Sequence, residues 1–279
     1  RQRQMCIRDS IERGYVKFET VQHLILDEAD RMLDIGFFDD IIKIIKTLPA
    51  VVRQSLMFSA TMAPKIRKLA NEILQDPLEV SVAVSKPAEG VLQEVYMAHE
   101  EQKIPLVKHL LSDKLEFNSI IVFCSTKKKV TQLTRKLQQN KLNAQAISSD
   151  FEQKEREQTI SDFRSGRTRI LIATDVMSRG IDIKGIDLVI NFDVPTDAED
   201  YVHRIGRTAR ANTKGMAITL ISQDDMYRFV KIERLIERKL DKKQPPSAIG
   251  IGPSWSDKPQ SRTSNKRFSF KKNPSSFKK

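Results

Sequence analysis

Between residues 93 and 221 the sequence returns six times to a short apolar run rich in β-branched residues, and amphipathic stretches of helical length fill the intervals. The runs are 93–98, 119–124 (SIIVFC), 143–147, 169–173 (RILIA), 187–192 (DLVINF) and 216–221. Helical patterns cover 101–112, 127–139, 152–164, 197–205 and 223–240. A strand that is apolar at every position must be covered on both faces, and a helix between successive strands supplies that cover. The rhythm therefore restricts this segment to an α/β architecture with a parallel sheet.

A shorter series of the same kind precedes it. Strands are expected at 21–26, 54–58 and 78–83, with helices at 37–47, where Phe37, Ile41, Ile44, Ile45 and Leu48 recur at helical spacing, and at 64–75. SKPAEG (85–90) has Pro, Gly and charge without periodicity and separates the two series. The expected organisation is thus a first domain over 11–84, a linker at 85–92, a complete second domain over 93–240 and a tail over 241–279. From Gln244 onward Pro, Ser, Lys and Arg dominate, which predicts a disordered basic tail.

A net charge of +12 points to a polyanionic partner. Two cysteines, Cys6 and Cys124, are too few for a disulfide framework or a four-ligand zinc site. No apolar stretch approaches the roughly 20 residues that span a bilayer. A cytoplasmic protein with no membrane partner is the expectation.

Four stretches carry chemistry. In LILDEAD (24–30) an apolar strand ends in adjacent carboxylates, so Asp27 and Glu28 fall at the sheet edge where α/β proteins bind ligands. An aspartate there can hold Mg²⁺ and a glutamate can position water for attack on phosphate; a solvated acidic turn is the alternative. FSAT (58–61) brings Ser59 and Thr61 to the same edge, where either hydroxyl can also cap the following helix. ATDVMSRGIDI (173–183) places Thr174, Asp175, Arg179 and Asp182 after another strand. HRIGRTAR (203–210) spaces Arg204, Arg207 and Arg210 three apart beside His203, which suits phosphate oxygens or a salt-bridged helix end.

The order and separation of these stretches resemble the DEAD-box RNA helicases of superfamily 2. The resemblance runs from residue 11 to about 240 through DEAD (27–30), SAT (59–61), IIVFCST (120–126), Gln153 and Arg156, ATDVMSRGID (173–182) and HRIGRTAR. It is nearest to the bacterial RhlE-type members. It implies RecA-like α/β domains with parallel sheets, the first incomplete and the second complete, and an ATP-dependent helicase that separates short RNA duplexes.

The resemblance further implies that Asp27 coordinates Mg²⁺ through water, Glu28 orients the attacking water, and Asp30 couples to Ser59 and Thr61. Arg207 and Arg210 are implied as arginine fingers, and Asp182 as the contact to the ATP ribose. Arg179 and His203 would link the domains, while Gln153, Arg156 and Thr174 would hold the RNA backbone. ATP and Mg²⁺ are the implied cofactors, RNA is the implied partner, and RNA-processing or ribosome-assembly proteins are further ones. Ala209 stands where the family usually has Gly.

One part is missing from these 279 residues. A phosphate loop needs Gly-Lys followed by Ser or Thr, and no Gly here is followed by Lys. The expectation is the back part of a helicase, inactive in ATP hydrolysis by itself. RQRQMCIRDS (1–10) departs from the family's pattern and is set apart as a non-native-looking leader. A non-catalytic RNA-binding module and a DNA translocase of the same superfamily are the competing readings.

Overall fold

The structure is a computed structural model that describes residues 9–11, 13–34, 38–49, 53–59, 62, 64–81, 90–147, 151–175, 185–208 and 215–256. The chain forms two compact units, residues 1–85 and 86–279.

In the first unit β1 (His23–Leu26) pairs in parallel with β2 (Gln54–Met57), Leu26 opposite Met57. Helices α1 (Ala29–Asp34) and α2 (Phe38–Lys46) connect them, and α3 (Pro64–Ile73) follows. Leu26, Ile41, Leu69 and Ile73 are buried together as its core. The strand expected over 78–83 is not formed where it is described. Residues 78–81 carry no regular structure, and Leu78 is 91% exposed. Its β-branched alternation suits a pleated surface, yet a strand also needs a neighbour for its backbone groups, and 78–81 pair with none among the described residues. Helix α1, directly behind the two carboxylates, was not expected.

The second unit is a parallel sheet of seven strands. In chain order its elements are β3 (Val91–Met97), α4 (Glu100–Asp113), β4 (Ile120–Phe123), α5 (Lys127–Gln139), β5 (Ala144–Ile147), α6 (Gln153–Arg164) and β6 (Ile170–Ala173). Then come β7 (Leu188–Asn191), α7 (Ala198–Ile205), β8 (Gly215–Ile221), a 3₁₀ turn (Gln223–Asp225), α8 (Met226–Leu235) and β9 (Lys242–Lys243). The spatial order is β5-β6-β4-β7-β8-β3-β9. Every residue of β4, β6 and β7 is buried, as their unbroken apolar runs require. One face of the sheet packs its core around Val95, Phe123, Tyr201 and Phe229, the other around Leu106, Val122, Leu133 and Ile190. Helix α5 starts where Thr126 Oγ1 accepts from the backbone N–H of Lys129, and it turns Val130, Leu133, Thr134 and Leu137 inward.

The tail boundary needs correction. Residues 241–256, assigned to a disordered tail by composition, are part of the second unit. Strand β9 adds to β3, with Lys242 opposite Val95 and Lys243 opposite Tyr96. Beyond it the Gln102 side chain donates to the carbonyls of Ile249 (3.3 Å) and Ile251 (3.1 Å). Trp255 meets Phe229 edge to face at 6.2 Å, and Lys242 Nζ lies 4.5 Å from the Trp255 ring centre. A Cβ at Gly252 would stand 2.1 Å from the Met97 carbonyl oxygen, so only glycine permits this approach. Residues 257–279 lie outside the described residues. No described helix is long and apolar enough to cross a membrane.

Candidate active site

In the first unit the carboxyl ends of β1 and β2 are tied together. Phe58 N donates to Leu26 O (2.7 Å), Ala29 N to Phe58 O (3.0 Å), and Asp30 N to Ser59 Oγ (3.2 Å). Asp27 and Glu28 are both exposed at this edge, and Glu28 N donates to Asp27 Oδ1 at 2.9 Å. Glu28 has φ +49°, a left-handed conformation that costs a non-glycine residue of order 1 kcal/mol and is held here by the bonds on either side of it. The strain turns two successive carboxylates outward before α1 begins. Thr61 lies outside the described residues.

In the second unit the polar groups gather at the carboxyl edge of the sheet. Asp175 follows β6 and receives Arg204 in a two-pronged pair, Nε to Oδ1 and Nη2 to Oδ2, both 2.6 Å. Arg204 Nη1 also donates to Asn191 Oδ1 (3.0 Å) and to Asp193 O (2.8 Å), and its guanidinium lies 5.0 Å from the Phe123 ring centre. With 3% exposure, Arg204 is a buried structural cation. Of the three arginines spaced along HRIGRTAR, it therefore has no access to a phosphate. Arg207 is half-buried in the turn after α7, where its carbonyl accepts from Gly185 N and Ile186 N, each at 3.2 Å. His203 is exposed on α7 and Thr174 half-buried after β6.

Gln153 and Arg156 occupy the first turn of α6. Gln153 is exposed and donates to Glu157, whereas Arg156 Nε is buried without a hydrogen-bond partner among the described residues. Arg179, Asp182 and Arg210 lie outside the described residues.

A second polar cluster, not anticipated from the sequence, sits along the same edge. Lys103 is fully buried, with Nζ 2.6 Å from Glu100, 3.1 Å from Asp193 and 3.3 Å from Asp225. Lys129 Nζ reaches Asp193 Oδ1 (2.6 Å) and Glu100 (2.8 Å). The other Asp193 oxygen accepts from Ser125 N and Ser125 Oγ, both at 2.8 Å, and so fixes the turn that leads into α5. Burial acts to raise the Asp193 carboxyl, but the Lys103 charge, the Lys129 hydrogen bond and the Ser125 N–H outweigh it and lower its pKa to about 2. Glu100, Asp193 and Asp225 bring oxygens within 4.8 Å of one another, a spacing that could hold a cation, and the Lys103 ammonium already fills that place. A signal for this cluster was present: Lys103 falls in the inward row of α4 with Leu106, Val107, Leu110 and Leu111.

The parallel sheets with intervening helices, with polar side chains at their carboxyl edges, have the RecA-like α/β fold of solved DEAD-box proteins. Residues 4–69 match the DEAD/DEAH box helicase family, and residues 102–212 match the helicase conserved C-terminal domain. The chain belongs to the DEAD-box helicases. The first match begins at residue 4, inside the segment 1–10 that the sequence had set apart.

Among its relatives, the ATP-dependent RNA helicase DbpA of Escherichia coli is 38% identical over 243 residues, which cover 87% of this chain and 53% of DbpA. The ATP-dependent RNA helicase-like protein DB10 of Nicotiana sylvestris is 43% identical, over 83% of this chain and 38% of DB10. The chain spans about half the length of the curated relatives it matches. A solved structure of Saccharomyces cerevisiae Dbp5 bound to RNA and ADP BeF3 has a TM-score of 0.76 and 30% identity, covering 85% of this chain and 63% of that one. Escherichia coli SrmB, solved bound to the regulator RraA, has a TM-score of 0.55 and 32% identity over 60% of this chain and 96% of that one.

Proposed function

We propose that the chain is part of an ATP-dependent RNA helicase. What carries this reading is the carboxylate pair Asp27–Glu28, strained outward beside the Asp30–Ser59 hydrogen bond, in a chain whose relatives include ATP-dependent RNA helicases.

Exposed carboxylate oxygen is the hard donor that Mg²⁺ prefers, and only one Asp27 oxygen is engaged by a described neighbour. Asp27 would hold the ion through water, and the ion would neutralise charge on the phosphates of ATP. Glu28 orients the water that attacks phosphorus and accepts its proton. Asp30, Ser59 and Thr61 pass the state of that site along the sheet edge. Arg207 and Arg210 stabilise charge on the phosphoryl group, Asp182 takes the ribose, and Arg179 and His203 couple the units. Gln153, Arg156 and Thr174 hold the RNA backbone, and the orphaned Nε of Arg156 is a donor that a phosphate oxygen can satisfy. The RhlE-like subtype, a cytoplasmic location and partners in RNA processing or ribosome assembly belong to the same reading.

The test is RNA-stimulated phosphate release. Within these 279 residues no Gly-Lys-Ser/Thr loop cradles phosphate, so the chain by itself should turn over negligibly. Joined at Ile11 to the phosphate-loop segment of a relative, it should hydrolyse ATP when RNA is added, and Glu28→Gln should abolish this while ATP still binds. Equal stimulation by RNA and DNA would favour a translocase; RNA binding with no turnover in the joined chain would favour a non-catalytic module.

A further inference from the structure

Helix α5 carries more cation than its packing uses. Its sequence KKKVTQLTRKLQQ has five cations and no acid, and among the described helices it alone lacks a carboxylate. The deficit extends past the helix: no Asp or Glu occurs from 117 to 149, in a chain where about one residue in eight is acidic. Lys129 is drawn onto Asp193 and Glu100, but Lys128, Arg135 and Lys136 are exposed, and their side chains have no ion pair or hydrogen bond among the described residues. Three cations at i, i+7 and i+8 share one face of a helix, here extending about 12 Å from Lys128 to Lys136.

What shares that face decides the occupant. Lys128, Thr131, Gln132, Arg135, Lys136 and Gln139 border one open depression, and none of them is apolar. A docked protein draws its energy from buried aromatic or aliphatic anchors, and no aromatic or aliphatic residue borders this depression; the carbon it exposes belongs to the stems of polar and charged side chains. A phosphate backbone needs what is present, namely unpaired cations interleaved with hydroxyl and amide donors. The helix also begins at Ser125–Thr126, at the carboxyl edge where Asp193 fixes the turn, so its outer face starts at the edge that holds Thr174 and Asp175 and runs back along the flank of the sheet.

We infer that the outer face of α5 is a second RNA-binding surface, on which Lys128, Arg135 and Lys136 neutralise phosphates of a strand that extends past the sheet-edge site. It rests on the reading of the chain as an RNA binder and adds a surface outside the residues assigned to that role. Because the contacts are to phosphates, the face adds affinity and length dependence without sequence preference.

The experiment uses the full 279-residue chain and a labelled single-stranded RNA of about 20 nucleotides, with affinity followed by fluorescence anisotropy over a salt series. Each phosphate neutralised on a single strand contributes about 0.7 to the slope of log K against log salt, so Lys128→Gln/Arg135→Gln/Lys136→Gln should lower the slope by about 2. Glutamine is a good helix former and all three positions are exposed, so the melting temperature should stay the same. Lys43→Gln/Lys46→Gln/Lys65→Gln removes the same net charge from exposed positions of the first unit and should change the slope far less. Equal losses in the two triple variants would reduce the effect to net charge and overturn the inference. An unchanged slope in the α5 variant, with Gln153→Ala/Arg156→Ala still weakening binding, would overturn this surface alone. No RNA binding by the wild-type chain would overturn this inference together with the reading beneath it.

Discussion

Arg204 and Asp175 meet through two parallel nitrogen–oxygen contacts of 2.6 Å, and the arginine end of the pair is 3% exposed. The pair joins α7 to the residue that follows β6. It places the turn bearing Arg207 and the segment bearing Thr174 under one constraint, because Arg207 is three residues beyond Arg204 and Thr174 adjoins Asp175.

Removing Arg204 should therefore cost stability. Arg204→Ala removes the donor shared by Asp175, the buried Asn191 and the Asp193 carbonyl; breaking a buried pair costs about 3–5 kcal/mol, and the partial exposure of Asp175 puts this one at about 3 kcal/mol or less. Arg204→Lys should recover little, since an ammonium cannot present three nitrogens to Asp175, Asn191 and the Asp193 carbonyl at once. Urea unfolding of both variants measures this. A loss below about 1 kcal/mol in Arg204→Ala would contradict the structural role.

Asp193 should give the second unit an acid-sensitive component. Its folded pKa is lowered to about 2, below the roughly 3.9 of an unfolded aspartate, so its contribution is complete above the unfolded value and disappears as pH falls through the folded one. The pH-dependent part is on the order of 2–3 kcal/mol. In urea unfolding, the stability gap between wild type and Asp193→Asn should be flat above about pH 5 and shrink between about pH 4 and 2. A gap that stays constant down to about pH 2.5 would remove Asp193 from the titrating groups.

Arg207 should behave unlike Arg204. In the chain joined to a phosphate-loop segment, Arg207→Ala should lower kcat by about 10³, the lower end of what supplied arginines contribute, because Arg210 can partly substitute. ATP affinity should change little, since the charge it meets develops in the transition state. If Arg207 serves only as an ion-pair partner, the melting temperature falls instead and turnover per folded molecule survives.

Deleting residues 257–279 should weaken RNA binding and leave folding intact. The segment holds Lys258, Arg262, Lys266, Arg267, Lys271, Lys272, Lys278 and Lys279 against one acid, Asp257. A cut at 244 would be a different experiment, because residues 244–256 belong to the folded unit. The expected readout is a smaller salt slope at an unchanged melting temperature. An unchanged slope would leave the segment a role in solubility only.

The parallel sheet of the second unit was legible because β4, β6 and β7 are unbroken apolar runs whose burial needs no knowledge of their partners. Helix α5 was legible to the residue, since Thr126 caps it and Asn140 ends it. Residues 241–256 were not, because Pro, Ser, Lys and Arg read as disorder when local composition is the sole guide. Their order comes from Gln102, far off in sequence, and from Phe229 and Glu233 on helix α8. Arg204 was left between a phosphate contact and a salt-bridged helix end, and the structure shows the salt bridge. Three arginines at equal spacing look alike until the inward row of α7, Tyr201, Arg204 and Ile205, separates one from the others. The carboxylates Asp27 and Glu28 were legible in place but not in conformation, as nothing in DEAD announces a left-handed glutamate.

Strand β9 is two lysines long and forms one margin of the seven-stranded sheet. Lys242 turns back to Glu233 at 2.6 Å and Lys243 to Glu94 at 2.7 Å, so the outermost strand presents charge to anything that approaches. Beneath it β3 is seven residues long and carries an exposed Leu92, the kind of edge on which a foreign chain can nucleate cross-strand pairing. The short strand covers that edge at Val95 and Tyr96, and the segment anchored by Trp255 approaches Met97, so the two together close the end of β3 nearest the carboxyl edge of the sheet. A polypeptide ending at Leu240 would keep its central strands and lose that protection, and its failure would take the form of precipitation.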